Sequence, residues 1–153
     1  MLRSFKDPHY NFLRFVLRLV SRKKIISGIF KDLKFNVANF NTAMLIGTWE
    51  LELLPVLNEI FKKKFSSIFV IGAAEGYYAV GFSRNLPNIN IFAFEKQSDY
   101  RDKLERLKIS NGSKNINVEG NCDSKILKSH LQLGGENAFL FCDIEGGEIE
   151  LLK

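Results

Sequence analysis

The sequence predicts an α/β fold: a parallel sheet with helices on both faces. Three observations predict it. From Phe65 onward, short β-rich apolar runs alternate with helix-like stretches, giving β-α-β-α-β-α-β. The first run, Phe65 to Ile71, has the continuous apolar character of a strand covered on both sides. Glycine or acidic residues stand where three of these runs end. Repeated strand–helix–strand units imply right-handed crossovers and hence a parallel sheet.

The elements follow in order. Residues 9–23 have helical periodicity, with Phe12, Leu13, Val16, Leu17 and Val20 on one broad face and Arg14, Arg18 and Arg22 spaced i, i+4. Such a helix can lie on a membrane or pack on its own domain. Residues 42–61 read as a second amphipathic helix in which Pro55 predicts a kink. Lys62-Lys63-Lys64 closes that segment with charge suited to a helix C-terminus. After the first strand, a helix is predicted from about Gly76 to Leu86 and a turn at Pro87-Asn88. Ile89 to Phe94 is the second strand. Ser98-Asp99 can open a helix that runs to about Ile109 and stops at Asn111-Gly112. Ile116 to Gly120 is the third strand. Asp123 or Ser124 opens a helix to about Leu131, Ala138 to Cys142 is the fourth strand, and Glu148 begins another helix. Residues 1–64 are thus a helical N-terminal extension and residues 65–153 the α/β domain.

Composition limits the function classes. The 153 residues suffice for one domain with a core, and 46% apolar with 25% charged residues is ordinary for a globular protein. No apolar run approaches the roughly 20 residues that span a bilayer. The stretch Phe12 to Val20 is broken by Arg14 and Arg18, so no secretory signal is expected and the cytoplasm is the expected location. Cys122 and Cys142 belong to no CxxC or Cys/His cluster. Two reduced thiols and no metal site are expected. Residues 1–64 hold 12 Lys/Arg against 5 Asp/Glu, a net +7, and residues 65–153 hold 10 against 12, a net −2. The basic excess suits an anionic partner such as nucleic acid, a membrane surface or a phosphorylated substrate, or serves solubility alone.

In open α/β sheets ligands bind beyond the carboxyl ends of the strands. Gly72-Ala73-Ala74-Glu75-Gly76 follows the first strand; its small residues allow a ligand to approach the backbone, or simply make a tight packing turn. Glu95 ends the second strand, 23 residues after Gly72 and so close to the roughly 20 at which an acidic residue takes a ribose diol. Asp143-Ile144-Glu145-Gly146-Gly147-Glu148 follows the fourth strand. Asp143 and Glu145 can hold a cationic group, orient an acceptor, act as a base or bind a metal, whereas Glu148 best fits a helix cap. The first loop lacks G-x-G-x-x-G, which counts against a dinucleotide-binding oxidoreductase. The absence of a Walker lysine excludes a P-loop nucleotidase.

Together, Val70-Ile71-Gly72-Ala73-Ala74-Glu75-Gly76-Tyr77-Tyr78, Phe94-Glu95 and Cys142-Asp143-Ile144-Glu145-Gly146-Gly147-Glu148 resemble FkbM-like class I methyltransferases dependent on S-adenosylmethionine. The last stretch resembles that family's D-x-E-G-x-E element. Leu45 to Leu53 is similar to a GTYE-x-EL segment that precedes the core in related bacterial proteins. The resemblance spans roughly residues 45–153 and implies a Rossmann-like sheet of order 3-2-1-4. It implies that Gly72, Ala73, Ala74, Glu75 and Gly76 bound the methionine and ribose part of the cofactor. Glu95 would take the ribose hydroxyls, and Asp123 or the backbone near Cys122 would lie by the adenine. Asp143 and Glu145 would act near the sulfonium or the acceptor, while Thr48, Trp49 and Glu50 would line the cofactor entrance. The implied partner is a small hydroxylated or glycan acceptor, with no nucleic acid. Val70 stands where the family places a polar or acidic residue, which removes one contact to the methionine end. The family fold has seven strands and this sequence carries four. The later strands are therefore expected to be missing, and the fourth strand to become a hydrophobic edge that favours self-association. A non-catalytic remnant that keeps the fold is the alternative function.

Overall fold

Ser67–Ile71 forms β1, and every residue of it is buried. The other strands are β2 (Asn90–Phe94), β3 (Ile116–Glu119) and β4 (Ala138–Cys142), all parallel, in the order β3-β2-β1-β4. This is the Rossmann-like order that the sequence implied. It belongs to a computed structural model that describes residues 8–35 and 41–153. The chain divides into two compact units, Met1–Asn58 and Glu59–Lys153.

Within the second unit, helices cover both faces of the sheet. They are α4 (Tyr77–Asn85), α5 (Ser98–Asn111), α6 (Ser124–Gly134) and α7 (Glu148–Leu151). The alternation of a strand sends Phe69 and Ile71 to the side where Leu127 of α6 and Leu151 of α7 close a core with Phe94. Ile68 and Val70 fall on the opposite side. There Phe82 of α4 meets Phe139 and Phe141 of β4 edge-on, at centroid distances of 6.0 and 5.7 Å. Val70 is a fully packed strand residue, 1% exposed. Register pairs Ile71 with Phe94 on one side and with Cys142 on the other, so the ends of β2, β1 and β4 lie level. Among the described residues β4 is one of the two edge strands, β3 being the other, and its five residues are half-buried.

The strand boundaries differ from expectation chiefly at the first run. Phe65 and Ser66 precede β1, and the Phe65 ring packs on Phe139 at 5.3 Å instead of pairing in the sheet. Helix α5 extends to Asn111 because Gly112 adopts a left-handed conformation and returns its N–H to Ile109 and Lys108.

At the opposite end of the sheet, the β2 and β3 side is held by the Asn115 amide. Asn115 Nδ2 donates to the carbonyls of Leu86 (3.1 Å) and Ile89 (2.6 Å), and its Oδ1 accepts from the buried Ser83 hydroxyl at 2.5 Å. Its backbone carbonyl accepts from Ile91 N–H. This residue joins the end of α4, the turn at Pro87-Asn88 and the starts of β2 and β3.

The first unit contains α1 (Pro8–Ser21), α2 (Thr42–Ile46) and the start of α3 (Leu54–Ile60). Ile25, Phe30, Leu33, Phe35, Leu45 and Leu57 are its buried apolar residues among those described, and Lys24 and Lys34 form an antiparallel bridge. The single helix expected over 42–61 is not formed. Gly47 turns left-handed at φ 78° and ends α2, Glu50 follows at φ 47°, and a 3-10 turn at Leu51–Leu53 precedes α3. Pro55 therefore makes no kink: it sits in the first turn of α3, where a helix needs no N–H donor.

Replacing Asn115 with Ala strips the Ser83 hydroxyl of its acceptor and removes a donor from the Leu86 and Ile89 carbonyls, of which Leu86 keeps the Ile89 N–H. The expected loss is about 2 kcal/mol of stability. Urea unfolding of the variant against the parent measures it; a change within error would show that this latch contributes nothing.

Candidate functional site

The strand order reverses at β1: β2 and β3 lie to one side of it and β4 to the other. Such a switch point opens a crevice between the outgoing loops. Here those loops are 72–76 and 143–147, and they touch. Asp143 N–H donates to the Ile71 carbonyl at 3.0 Å. A Cβ added to Gly72 would lie 2.0 Å from the Asp143 carbonyl oxygen, and Gly72 has φ 79°. Any side chain at Gly72 would push the two loops apart. Gly76 is constrained in the same way by α5, since a Cβ there would lie 2.2 Å from Leu104 Cδ1. The space these glycines leave is filled by the protein's own atoms.

The amides of the first loop are also used internally. Gly72 and Ala73 N–H both donate to the Phe94 carbonyl at 2.9 Å, and Gly76 N–H donates to the Ala73 carbonyl. Ala74 N–H donates to Glu95 Oε2 at 2.8 Å, while Gln97 N–H donates to Glu95 Oε1 at 2.8 Å. Glu95 is 8% exposed. An ionised carboxylate offers about four acceptor positions. Two are taken by these amides. The Glu95 carbonyl, with that of Lys96, is held by Arg101 Nη1 at 2.8 and 2.7 Å. Arg101 was not singled out in the sequence; its place one turn into the helix after Glu95 is the signal that marks it.

Glu75 leaves the loop to pair with Lys103 of α5, Nζ to Oε1 at 2.8 Å. That hydrogen bond holds the Lys103 ammonium above its ordinary value. Lys103 also lies 4.5 Å from the centroid of the Tyr100 ring. Glu75 is thus engaged toward α5.

Asp123 caps α6, accepting from Ile126 N–H at 2.8 Å. Beside it, His130 spans the Ile126 carbonyl through Nδ1 and Glu119 Oε1 through Nε2, each at 2.9 Å. Burial pushes the Cys122 thiol up to about 11, helped by the neighbouring Asp123, and burial raises Cys142 as well. Both cysteines are free thiols, and these environments keep them poorly nucleophilic.

The second loop contains the free carboxylates. Asp143 and Glu145 are exposed, and neither side chain makes a hydrogen bond or ion pair among the described residues. Glu148 does the holding: its Oε1 accepts from Ile144 N–H at 3.1 Å and its Oε2 from Gly146 N–H at 2.9 Å. Backbone hydrogen bonds at Glu148 itself and at Ile144 and Gly146 keep its carboxyl below the ordinary 4.5. Two non-glycine residues near the crevice have left-handed backbone, Ala74 at φ 46° and Glu145 at φ 53°. Each costs roughly 1–2 kcal/mol and persists only because its loop is tied down. Among the described residues no cluster of three or more metal-ligating side chains occurs. Thr48, Trp49 and Glu50 lie in the first unit, where Thr48 N–H returns to the Ala43 carbonyl and Trp49 is half-buried.

No protein-family description and no curated protein matches the chain. Solved structures do. A provisionally assigned O-methyltransferase from Klebsiella pneumoniae is 17% identical, with TM-score 0.48 over 91% of this chain and 54% of its own. EvdMO1 is 14% identical, with TM-score 0.47 over 90% and 30%. Coclaurine N-methyltransferase, solved with N-methylheliamine and SAH, is 16% identical, with TM-score 0.42 over 77% and 39%. The chain spans about half or less of the length of each.

Two outcomes follow. Gly72→Ala should cost roughly 3 kcal/mol, because left-handed strain adds to a backbone collision. Gly112→Ala, with open space around it at φ 67°, should cost only about 1 kcal/mol. Paired thermal unfolding compares them, and equal losses would refute the packing argument. For Glu148, a folded pKa below the unfolded one means stabilisation that is present above the unfolded value and lost as pH falls through the folded one. Glu148→Gln should therefore be less stable than the parent at pH 7. Its Tm should approach the parent's as both are taken below pH 4; a difference independent of pH would remove the carboxylate from this role.

Proposed function

We propose that the switch-point crevice binds S-adenosylmethionine and that the protein transfers its methyl group to a hydroxyl of a sugar or other small hydroxylated acceptor. One observation carries the choice of cofactor. A dinucleotide needs spare loop amides for its pyrophosphate, and the N–H groups of Gly72, Ala73, Ala74 and Gly76 are all engaged by protein acceptors. What the crevice offers instead is carboxylate. That suits a ligand with no phosphate, a ribose diol and a cationic centre. When bound, the cofactor supplies an electrophilic methyl on a sulfonium.

The residues then divide the work. Glu95 uses its two remaining acceptor positions for the ribose hydroxyls while its other two hold the loop in shape. Gly72 to Gly76 wall the crevice on the β1 side. Asp123, its side chain spent on the α6 cap, contributes backbone beside Cys122 to the adenine end. Asp143 and Glu145 present unpaired negative charge on the β4 side, where it stabilises a positive centre at short range. Either can orient an acceptor hydroxyl or take its proton as the new bond to the methyl forms. Alignment of acceptor, methyl and sulfur supplies most of the rate in such a displacement. The hydroxyl acceptor rests on the likeness of Asp143-Ile144-Glu145-Gly146-Gly147-Glu148 to the D-x-E-G-x-E element. The half-buried apolar edge at β4 further suits pairing with another strand, which we assign to a second copy of the chain.

Titration calorimetry with S-adenosylmethionine, its demethylated product and NAD tests the cofactor. The first two should bind and NAD should not; the reverse pattern would sink the reading. Glu95→Gln keeps one oxygen acceptor but loses the other, and should weaken the product by tenfold or more, about 1.4 kcal/mol. An affinity equal to the parent's would free Glu95 from the ribose.

A further inference from the structure

The basic N-terminal helix has no part in the crevice chemistry, yet its surface is unusual. In α1, Phe12, Phe15, Leu19 and Val20 are 68, 57, 63 and 67% exposed. At positions i, i+3, i+7 and i+8 they share one face of the helix. Ser21, on another face, is buried. The helix contains no Asp or Glu. Arg14 and Arg18 lie within it, and Arg22, Lys23 and Lys24 follow directly, the last three exposed. A contiguous apolar face on a water-exposed helix marks a contact site. The exposed cations Arg22, Lys23 and Lys24 at its C-terminal end select the contact.

We propose that α1 is an interfacial helix that lies on an anionic lipid bilayer, its four large apolar side chains set among the acyl chains and its basic residues against the headgroups. Among the described residues no helix is long and apolar enough to cross a membrane. Charge argues for lipid over the other occupants. A second copy seated on this face would bring two segments of net +7 together. A nucleic acid would meet the arginines and lysines but leave Leu19 and Val20 in water. An anionic leaflet satisfies both the apolar arc and the exposed basic residues Arg22, Lys23 and Lys24 that follow it. The inference does not depend on the assignment of the crevice, because no crevice residue takes part in it.

Flotation of the whole chain with phosphatidylcholine vesicles, with and without 30% phosphatidylglycerol (about one lipid in three, enough to charge the surface), tests it. The chain should float with the anionic vesicles and stay behind with the neutral ones, and raising salt toward 1 M should release it by screening. Phe15→Ser with Leu19→Ser should abolish flotation. Arg22→Gln with Lys23→Gln should lower partitioning roughly 30-fold, at about fivefold per basic residue at the leaflet. All four positions are exposed, so circular dichroism and Tm should match the parent. Failure to float, equal binding to both vesicle types, or flotation that survives Phe15→Ser with Leu19→Ser would overturn the proposal. So would binding of single-stranded RNA without vesicle binding, or a dimer that the Phe15 and Leu19 changes dissolve. A crevice variant such as Glu95→Gln should float normally, which separates this result from the cofactor test.

Discussion

The second unit depends on how closely backbone approaches backbone at Gly72. Its N–H is bound to the end of β2, and its missing side chain admits the carbonyl of Asp143 from the end of β4. Three strand ends therefore meet at a residue with no Cβ. That meeting sets the width of the crevice and the distance between loops 72–76 and 143–147. The left-handed backbone of Ala74 and Glu145 is tolerable only because both loops are anchored there.

The carboxylates around this point serve two different ends. Glu95 and Glu148 accept backbone N–H groups and shape one loop each. Asp143 and Glu145 are left unpaired and exposed between them. A carboxylate that already accepts backbone N–H groups has less acceptor capacity left for a ligand, whereas an unpaired one has all of it to offer. Glu95 belongs partly to each class, since its acceptor capacity exceeds what the loop uses. This division gives the crevice an acidic face on a fixed frame.

Much of the fold was legible because its signals are local. The apolar runs at β2 and β4, the stop at Gly112 and the cap at Asp123 each follow from short-range chemistry. Strand order was legible through the motif resemblance, since periodicity carries no order of its own. The helix over 42–61 was misread because its apolar spacing continues through Gly47, while the left-handed turn there depends on what the backbone meets. Phe65 was placed in the strand on composition, although its ring packs sideways on Phe139, seventy-odd residues later.

For the site, the sequence by itself determined which residue types end each strand: small residues after β1, Glu95 after β2, and the acidic run after β4. Those follow from the alternation of apolar and polar chemistry along one chain. Only the tertiary structure decided which of them are spent and which are free. Whether a glycine's vacancy faces a ligand or Asp143, and whether a carboxylate is already holding an amide, are set by residues far away in sequence. The register of β1 against β2 and β4 brings them level, and no local pattern encodes that distance.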